Sequence, residues 1–456
     1  MTSSRSPTEA RLLHAFRSAA AGLAWYRTLL DERGVGVDEI VDLESFSRCC
    51  PALNKRNTFE RFPLDQLIAT TAISDIAAVL TSSGHGRRFS FGLSTRDQAA
   101  ASGQMIDDAL DDAFQVRSRS TLAINCLPMG VGFSSECMTV ATTSVREDMA
   151  MALVGTFGQY YDQIVIVADP LFIKRLTDFA AAAATDWRRH RVHVVLGEEI
   201  FGEHARGYVA ACLGQDADHP ERGHIISSFG VGELGLHLCY ETPATIAVRR
   251  AAWTNPGVAR DLLAVENGAS AIPMIFTFNP LRTFIEVTEP DARGYGQLTI
   301  SMLDAELPLP LLRYQTGDVA RLLDADETSG VLRRHGLDVP EALPRTLLAL
   351  EGRASETLPD GSHVGAYKDA LYADHAVARQ LTGAFRLIAS EDGCTMHVQL
   401  APSHEPAADL ERRILQALPA SARPVRLVVW PYDRFPFGMT IDYERKFSYY
   451  LAGERE

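Results

Sequence analysis

Arg313-Tyr314-Gln315-Thr316-Gly317-Asp318 follows the apolar, proline-stiffened run Leu307-Pro308-Leu309-Pro310-Leu311-Leu312, and the reading of this stretch decides the fold. The run reads as a strand-like segment that delivers a polar turn. Gly317 supplies a backbone able to take positive φ, and Asp318, straight after it, points a carboxylate outward. A carboxylate accepts two hydrogen bonds at once, which suits the vicinal hydroxyls of a ribose. A bare Thr-Gly-Asp is equally compatible with a surface turn between two strands. Its weight comes from other fragments, which recur in a consistent order along the chain.

The bulk properties set limits. A chain of 456 residues is too long for one ordinary core and predicts two or three domains. Hydrophobic residues make up 46% and charged residues 22%, the balance of a soluble globular protein. A formal charge of −14 argues against a nucleic-acid partner, which needs clustered Lys and Arg. No apolar run is long enough to span a bilayer, and Met1–Arg5 leads into an amphipathic stretch with no apolar signal core. The 7 cysteines are scattered, without a CxxC pair, so a reducing, cytoplasmic setting is expected, with no membrane partner.

Along the chain, helices lead to the apolar run Ile76–Leu80. A helix is expected over Arg96–Phe114, a strand from Leu122 ending in a turn near Gly130, and a helix over Val145–Tyr161. A strand over Gln163–Val167, a helix over Phe172–Ala184 and a strand over Val192–Glu198 follow. Strands that are apolar at every position, alternating with helices, predict a parallel sheet covered on both faces. From about Gly223 to Leu323, closely spaced strands with Pro and Gly turns suggest a more antiparallel, barrel-like part. Beyond Arg353 the pattern is mixed, with helices near Ala376 and Leu410 and a strand at Val425–Trp430.

Three further fragments carry chemistry. Thr81-Ser82-Ser83-Gly84-His85-Gly86-Arg87-Arg88 follows a strand and has the small, flexible residues of an anion-binding nest, with two arginines able to hold phosphate. Phe229-Gly230-Val231-Gly232-Glu233 offers a π-face and a carboxylate, the hard ligand that Mg²⁺ prefers beside phosphates. Leu350-Glu351-Gly352-Arg353-Ala354-Ser355-Glu356 offers a glycine that permits the rotation of a hinge.

Together these fragments resemble the adenylate-forming superfamily of acyl-CoA synthetases, adenylation domains and luciferases, in its phenylacetate-CoA-ligase-like and acyl-protein-synthetase-like branch. The resemblance covers nearly the whole chain. It implies an α/β fold with a large N-terminal domain, residues 1–352, of helix-covered parallel sheets plus the barrel-like part. A small mobile α+β C-terminal lid domain, residues 353–456, completes it. It implies that Asp318 holds the ribose of AMP, that Phe229 and Gly230 lie near adenine, and that Arg353 lies on the ribose and phosphate side. Ser82, Ser83, Gly84, Arg87 and Arg88 would bind phosphate, and Glu233 would be the metal residue. Lys446, or its neighbour Arg445, would meet the charge that develops at the α-phosphate. The acyl pocket would be lined by Met129, Gly130, Phe133, Gly232 and His237. ATP and Mg²⁺ are the implied cofactors, with CoA or an acyl carrier protein as acceptor. A small carboxylic acid, with Phe133 and Phe229 hinting at an aromatic one, is the implied substrate, and a homodimer is a candidate assembly.

The chain departs from that pattern where ATP chemistry is tightest. His85 stands where two hydroxyl residues belong, Arg87-Arg88 replaces Lys-Pro, Gly232 lacks a hydroxyl, and Ser355 replaces the hinge acid. A second expectation therefore stays open: a homologue that abandoned ATP and cleaves or transfers acyl groups, with His85 or Glu233 as general base, or that only binds a partner.

Overall fold

The computed structural model describes residues 5–68, 70–81, 89–128, 130–215, 223–266, 271–390, 393–418, 425–438 and 447–451. The strands, in chain order, are β1 Ile76–Thr81, β2 Phe91–Thr95, β3 Thr121–Asn125, β4 Thr139–Thr142, β5 Gln163–Ala168, β6 Val192–Leu196, β7 Ile225–Val231 and β8 Gly235–Tyr240. They continue with β9 Met274–Phe278, β10 Thr283–Thr288, β11 Gly296–Met302, β12 Tyr314–Asp324 and β13 Thr346–Arg353. The last are β14 Leu381–Ser390, β15 Gly393–Leu400, β16 Val425–Trp430 and β17 Tyr450–Leu451.

Strands β3 to β13 form one 11-stranded sheet in the order β10-β11-β12-β13-β9-β8-β7-β6-β5-β3-β4. From β4 to β7 neighbours run parallel, and from β7 to β10 they run antiparallel. The antiparallel part expected from the Pro- and Gly-punctuated sequence is thus a direct continuation of the parallel one. Every residue of β3, β5 and β6 is buried. Successive side chains of a strand point to opposite faces, so both faces must be covered. Leu122, Ile164 and Val194 join a cluster with Leu171, Phe172 and Leu176 of the helix Pro170–Ala182. Ala123, Val165 and Val195 join another with Ile106, Leu110 and Phe114 of the helix Arg96–Phe114.

The Arg96–Phe114 helix has the bounds expected from its pattern, because Thr95 and Gln98 form a capping box that fixes its start. Two expectations need correction. The span from Gly223 to Leu323 is not all strand: Pro243–Thr254 and Pro256–Leu263 are helices. Their prolines, read as turn markers, sit in the first helical turn behind the caps Thr242 and Asn255, where a missing N–H costs nothing. The run Leu307–Leu312 is not a strand either. Leu309, Leu311 and Leu312 are buried, but Pro308 and Pro310 cannot donate to a ladder, and pairing begins only at Tyr314.

The C-terminal α+β domain has a separate 4-stranded sheet, order β16-β15-β14-β17. Its Phe385, Leu387, Met396 and Val398 belong to the same hydrophobic cluster as Leu171 and Phe172 of the large sheet's helix. The large domain also holds a buried ionic network. Arg206 donates from Nε to Glu203 Oε1 at 2.9 Å and from Nη2 to Glu241 Oε1 at 2.7 Å. Arg249 donates to Glu203 Oε1 at 3.1 Å and to the Phe201 carbonyl at 2.7 Å. Burial alone would raise the Glu203 carboxyl, yet Arg206, Arg249 and Arg250 pull it down to about 2. Among the described residues no helix is long and apolar enough to cross a membrane.

Candidate functional site

Within the Arg313–Asp318 stretch, residues 316–318 form a bulge inside β12 rather than a turn between strands. Thr299 pairs with Gln315 and Gln297 with Val319, so Thr316, Gly317 and Asp318 together face Leu298 alone. The extra residues are pushed out of the ladder, and Gly317 absorbs the bend at φ 84°. Thr316 Oγ1 accepts from the Asp318 amide at 3.2 Å, which fixes the carboxylate's exit direction. Asp318 is buried and pairs across the strands with Arg353, whose Nε lies 3.9 Å from Asp318 Oδ1. The signature aspartate and the expected hinge arginine are therefore cross-strand neighbours. Gly352, with φ 124°, lies beside them.

Glu233 sits in the turn Gly232–Leu234 that joins β7 to β8. The Tyr314 hydroxyl donates to Glu233 Oε1 at 3.1 Å, tying this turn to the start of the bulged strand. The hairpin β1–β2, which brackets the Ser82–Arg88 loop, backs onto the same turn. A Cβ on Gly92 would stand 2.6 Å from the Gly232 carbonyl oxygen, so only glycine lets the two backbones meet. Two of the four fragments thus meet at Glu233 and Tyr314, and a third joins them through Asp318 and Arg353. Nothing in the sequence indicated that Tyr314 would reach Glu233. Ser82, Ser83, Gly84, His85, Arg87, Arg88, Met129, Arg445 and Lys446 lie outside the described residues.

The remaining pocket candidates fall on two faces of the sheet. Phe229 turns toward Phe276, ring centroids 6.4 Å apart. Ile226 faces the Arg96–Phe114 helix, in a cluster against which Val131 and Phe133 pack. Asp107 of that helix, fully buried, accepts from Ser135 Oγ at 2.5 Å and from the Glu136 amide at 2.7 Å, pinning the segment that carries Gly130 and Phe133. His237 is buried; Ser228 Oγ lies 2.7 Å from its Nδ1 and Tyr240 stacks on its ring at 4.8 Å. Burial, helped by Arg282, pushes its pKa down to about 3, so the imidazole is neutral.

A further cluster lies where the C-terminal domain meets the large one. Glu199 accepts from Lys368 Nζ at 2.8 Å and from the Tyr449 hydroxyl at 2.9 Å, and Lys368 lies over the Tyr449 ring at 3.9 Å. Asp369 Oδ1 accepts from the Ala205 amide at 3.2 Å, at the N-terminus of the helix Glu203–Cys212. These residues are far apart in sequence and carried no motif.

Among the described residues no cluster of three or more His, Cys, Asp or Glu side chains could cage a metal. A lone, oriented carboxylate such as Glu233 suits Mg²⁺, which keeps most of its shell as water and substrate phosphate.

No family model matches the sequence, and no curated protein matches it. Among solved structures it is similar to 2-hydroxyisobutyryl-CoA ligase in the postadenylation state in complex with 2-HIB-AMP. That match has a TM-score of 0.66 and 15% identity, and covers 98% of this chain and 88% of that one. The fold is the fold of that ligase. An open conformation of the same ligase, in complex with 2-HIB-AMP and CoA, matches with TM-score 0.55 and 14% identity over 97% of this chain and 90% of that one.

Proposed function

We propose that this protein activates a carboxylic acid with ATP and transfers the acyl group to a thiol, of CoA or a carrier protein, or to an amine. The carboxylate oxygen attacks the α-phosphorus, the bond to the β-phosphate breaks, and pyrophosphate leaves. The acceptor then attacks the acyl carbon and AMP departs. Asp318 holds the ribose hydroxyls, Phe229 borders adenine, and the Ser82–Arg88 loop takes the phosphates. Lys446 meets the charge at the α-phosphate. Glu233 would hold Mg²⁺, which neutralises phosphate charge when bound.

The observation that carries this reading is the convergence of dispersed fragments: Tyr314 on Glu233 at 3.1 Å and Arg353 on Asp318 at 3.9 Å, within one motif-bearing strand. A hinge at Gly352 divides the chain into residues 1–352 and 353–456. The positive φ of Gly352 supports it, as does the higher TM-score against the postadenylation form, 0.66, than against the open one, 0.55. The test is carboxylate-dependent exchange of labelled pyrophosphate into ATP over a panel of aryl and alkyl acids. Exchange with at least one acid is expected. No exchange with any, together with turnover of an acyl ester or amide without ATP, would overturn the proposal.

A further inference from the structure

His237 combines features that a merely structural histidine does not need. Its backbone sits at φ 53°, a left-handed conformation that a strand residue adopts only when something holds it there. Arg282 does the holding: its Nη1 donates to the His237 carbonyl at 2.9 Å and its Nη2 to the Leu236 carbonyl at 3.0 Å. This turn brings the ring to the Ser228 side of the sheet, where Tyr240 stacks on it. Nδ1 is occupied by Ser228, whereas Nε2 is buried and has no hydrogen-bond partner among the described residues. A buried polar atom left unpaired is costly and calls for an explanation. Ser228 and Tyr240, which flank the ring, are both partly exposed, so the buried ring lies close to the protein surface. Ser228 also lies two residues beyond Ile226, which puts it on the strand face that Val131 and Phe133 border.

We propose that His237 Nε2 is a specificity anchor for the acyl substrate, and that the substrate is a carboxylic acid bearing a hydroxyl group away from its carboxylate. The inference rests on the acid-activating reading. A hydroxyl fits either tautomer. If Ser228 donates to Nδ1, Nε2 carries the proton and donates to the hydroxyl oxygen. If Nδ1 donates to Ser228, Nε2 accepts from the hydroxyl. The neutral ring makes the contact independent of pH across the physiological range.

The experiment uses the full chain and pairs of acids differing by one hydroxyl, hydroxybenzoates against benzoate and hydroxyalkanoates against alkanoates. Binding is followed by calorimetry with and without ATP. The wild type is expected to prefer the hydroxylated member of at least one pair by roughly 10- to 100-fold. His237→Phe keeps the stack on Tyr240, and His237→Asn keeps both the tolerance for positive φ and a partner for Ser228. Both variants are expected to reduce the preference to within about 2-fold, through a larger loss for the hydroxylated acid than for its deoxy partner. A preference that survives both variants, or one that falls only because the deoxy acid binds more tightly, would overturn the anchor role. Binding of acids without any hydroxyl preference overturns the inference alone, whereas an absence of acid binding and of exchange overturns the acid-activating reading with it.

Discussion

Asp318→Asn is the sharpest perturbation of the nucleotide site. The substitution preserves shape but replaces one acceptor oxygen with a donor and removes the charge, so one of two ribose hydroxyls loses its acceptor. A charge-assisted bond from a buried carboxylate is worth about 1.5–3 kcal/mol, which corresponds to roughly a 10- to 150-fold weaker ATP dissociation constant. Asp318→Ala removes both contacts and should cost about 2–4 kcal/mol of nucleotide affinity. Stability should hardly move. Arg353 stands 3.9 Å away with a side chain 55% exposed, and such a pair contributes under about 1 kcal/mol. Calorimetric titration with ATP, paired with a denaturant melt of each variant, separates the two effects. An unchanged dissociation constant in both variants would refute the ribose assignment. Equal losses of affinity and of fold stability would show that Asp318 acts only on the fold.

Tyr314→Phe should leave the protein folded but free the Glu233 carboxylate, raising the Mg²⁺ concentration needed for half-maximal exchange several-fold; a magnesium titration of pyrophosphate exchange checks this. Gly202→Ala should wedge the C-terminal domain away, because the new Cβ would fall 2.0 Å from the Asp369 carboxylate. Overpacking of this kind costs about 1–3 kcal/mol, and faster limited proteolysis at the exposed Arg353–Ser355 segment is the readout. Asp169 caps the helix Pro170–Ala182 while buried; burial, reinforced by Glu199 against its backbone hydrogen bonds, raises its pKa to about 7. A folded pKa above the unfolded one gives stability that is complete below about pH 4 and lost as pH rises through about 7. Asp169→Asn keeps the cap without that titration, so its stability relative to the wild type should climb between those values, by up to about 4 kcal/mol, in pH-dependent denaturant melts.

The parallel half of the sheet was readable because Gln163–Val167 and Val192–Leu196 carry consecutive apolar residues, broken only by Gln163 and His193, as a strand covered on both faces does. The two helices after Thr242 were hidden because a proline after a threonine or an asparagine reads alike as a turn and as a capped helix start. The bulge at Gly317 could not be seen from β12 alone, since it is defined by the partner strand, where Leu298 faces three residues. Asp318, Glu233 and Arg353 were named from local words in the sequence. What joins them, the Tyr314 hydroxyl on Glu233 and the cross-strand pairing of Asp318 with Arg353, depends on registers set by distant strands. The Glu199–Lys368–Tyr449 cluster had no local signal at all, because its members lie on three separate segments that meet only after the C-terminal domain docks.

The buried network of Arg206, Glu203, Arg249 and Glu241 also constrains how this chain can drift. Replacing any one member strands a charge away from water, whereas exchanging the set together for well-packed apolar residues is tolerable. A lineage descending from this sequence therefore meets a valley at every first step. Its sister proteins should carry either all four charges or none, so that these positions are inherited as a block.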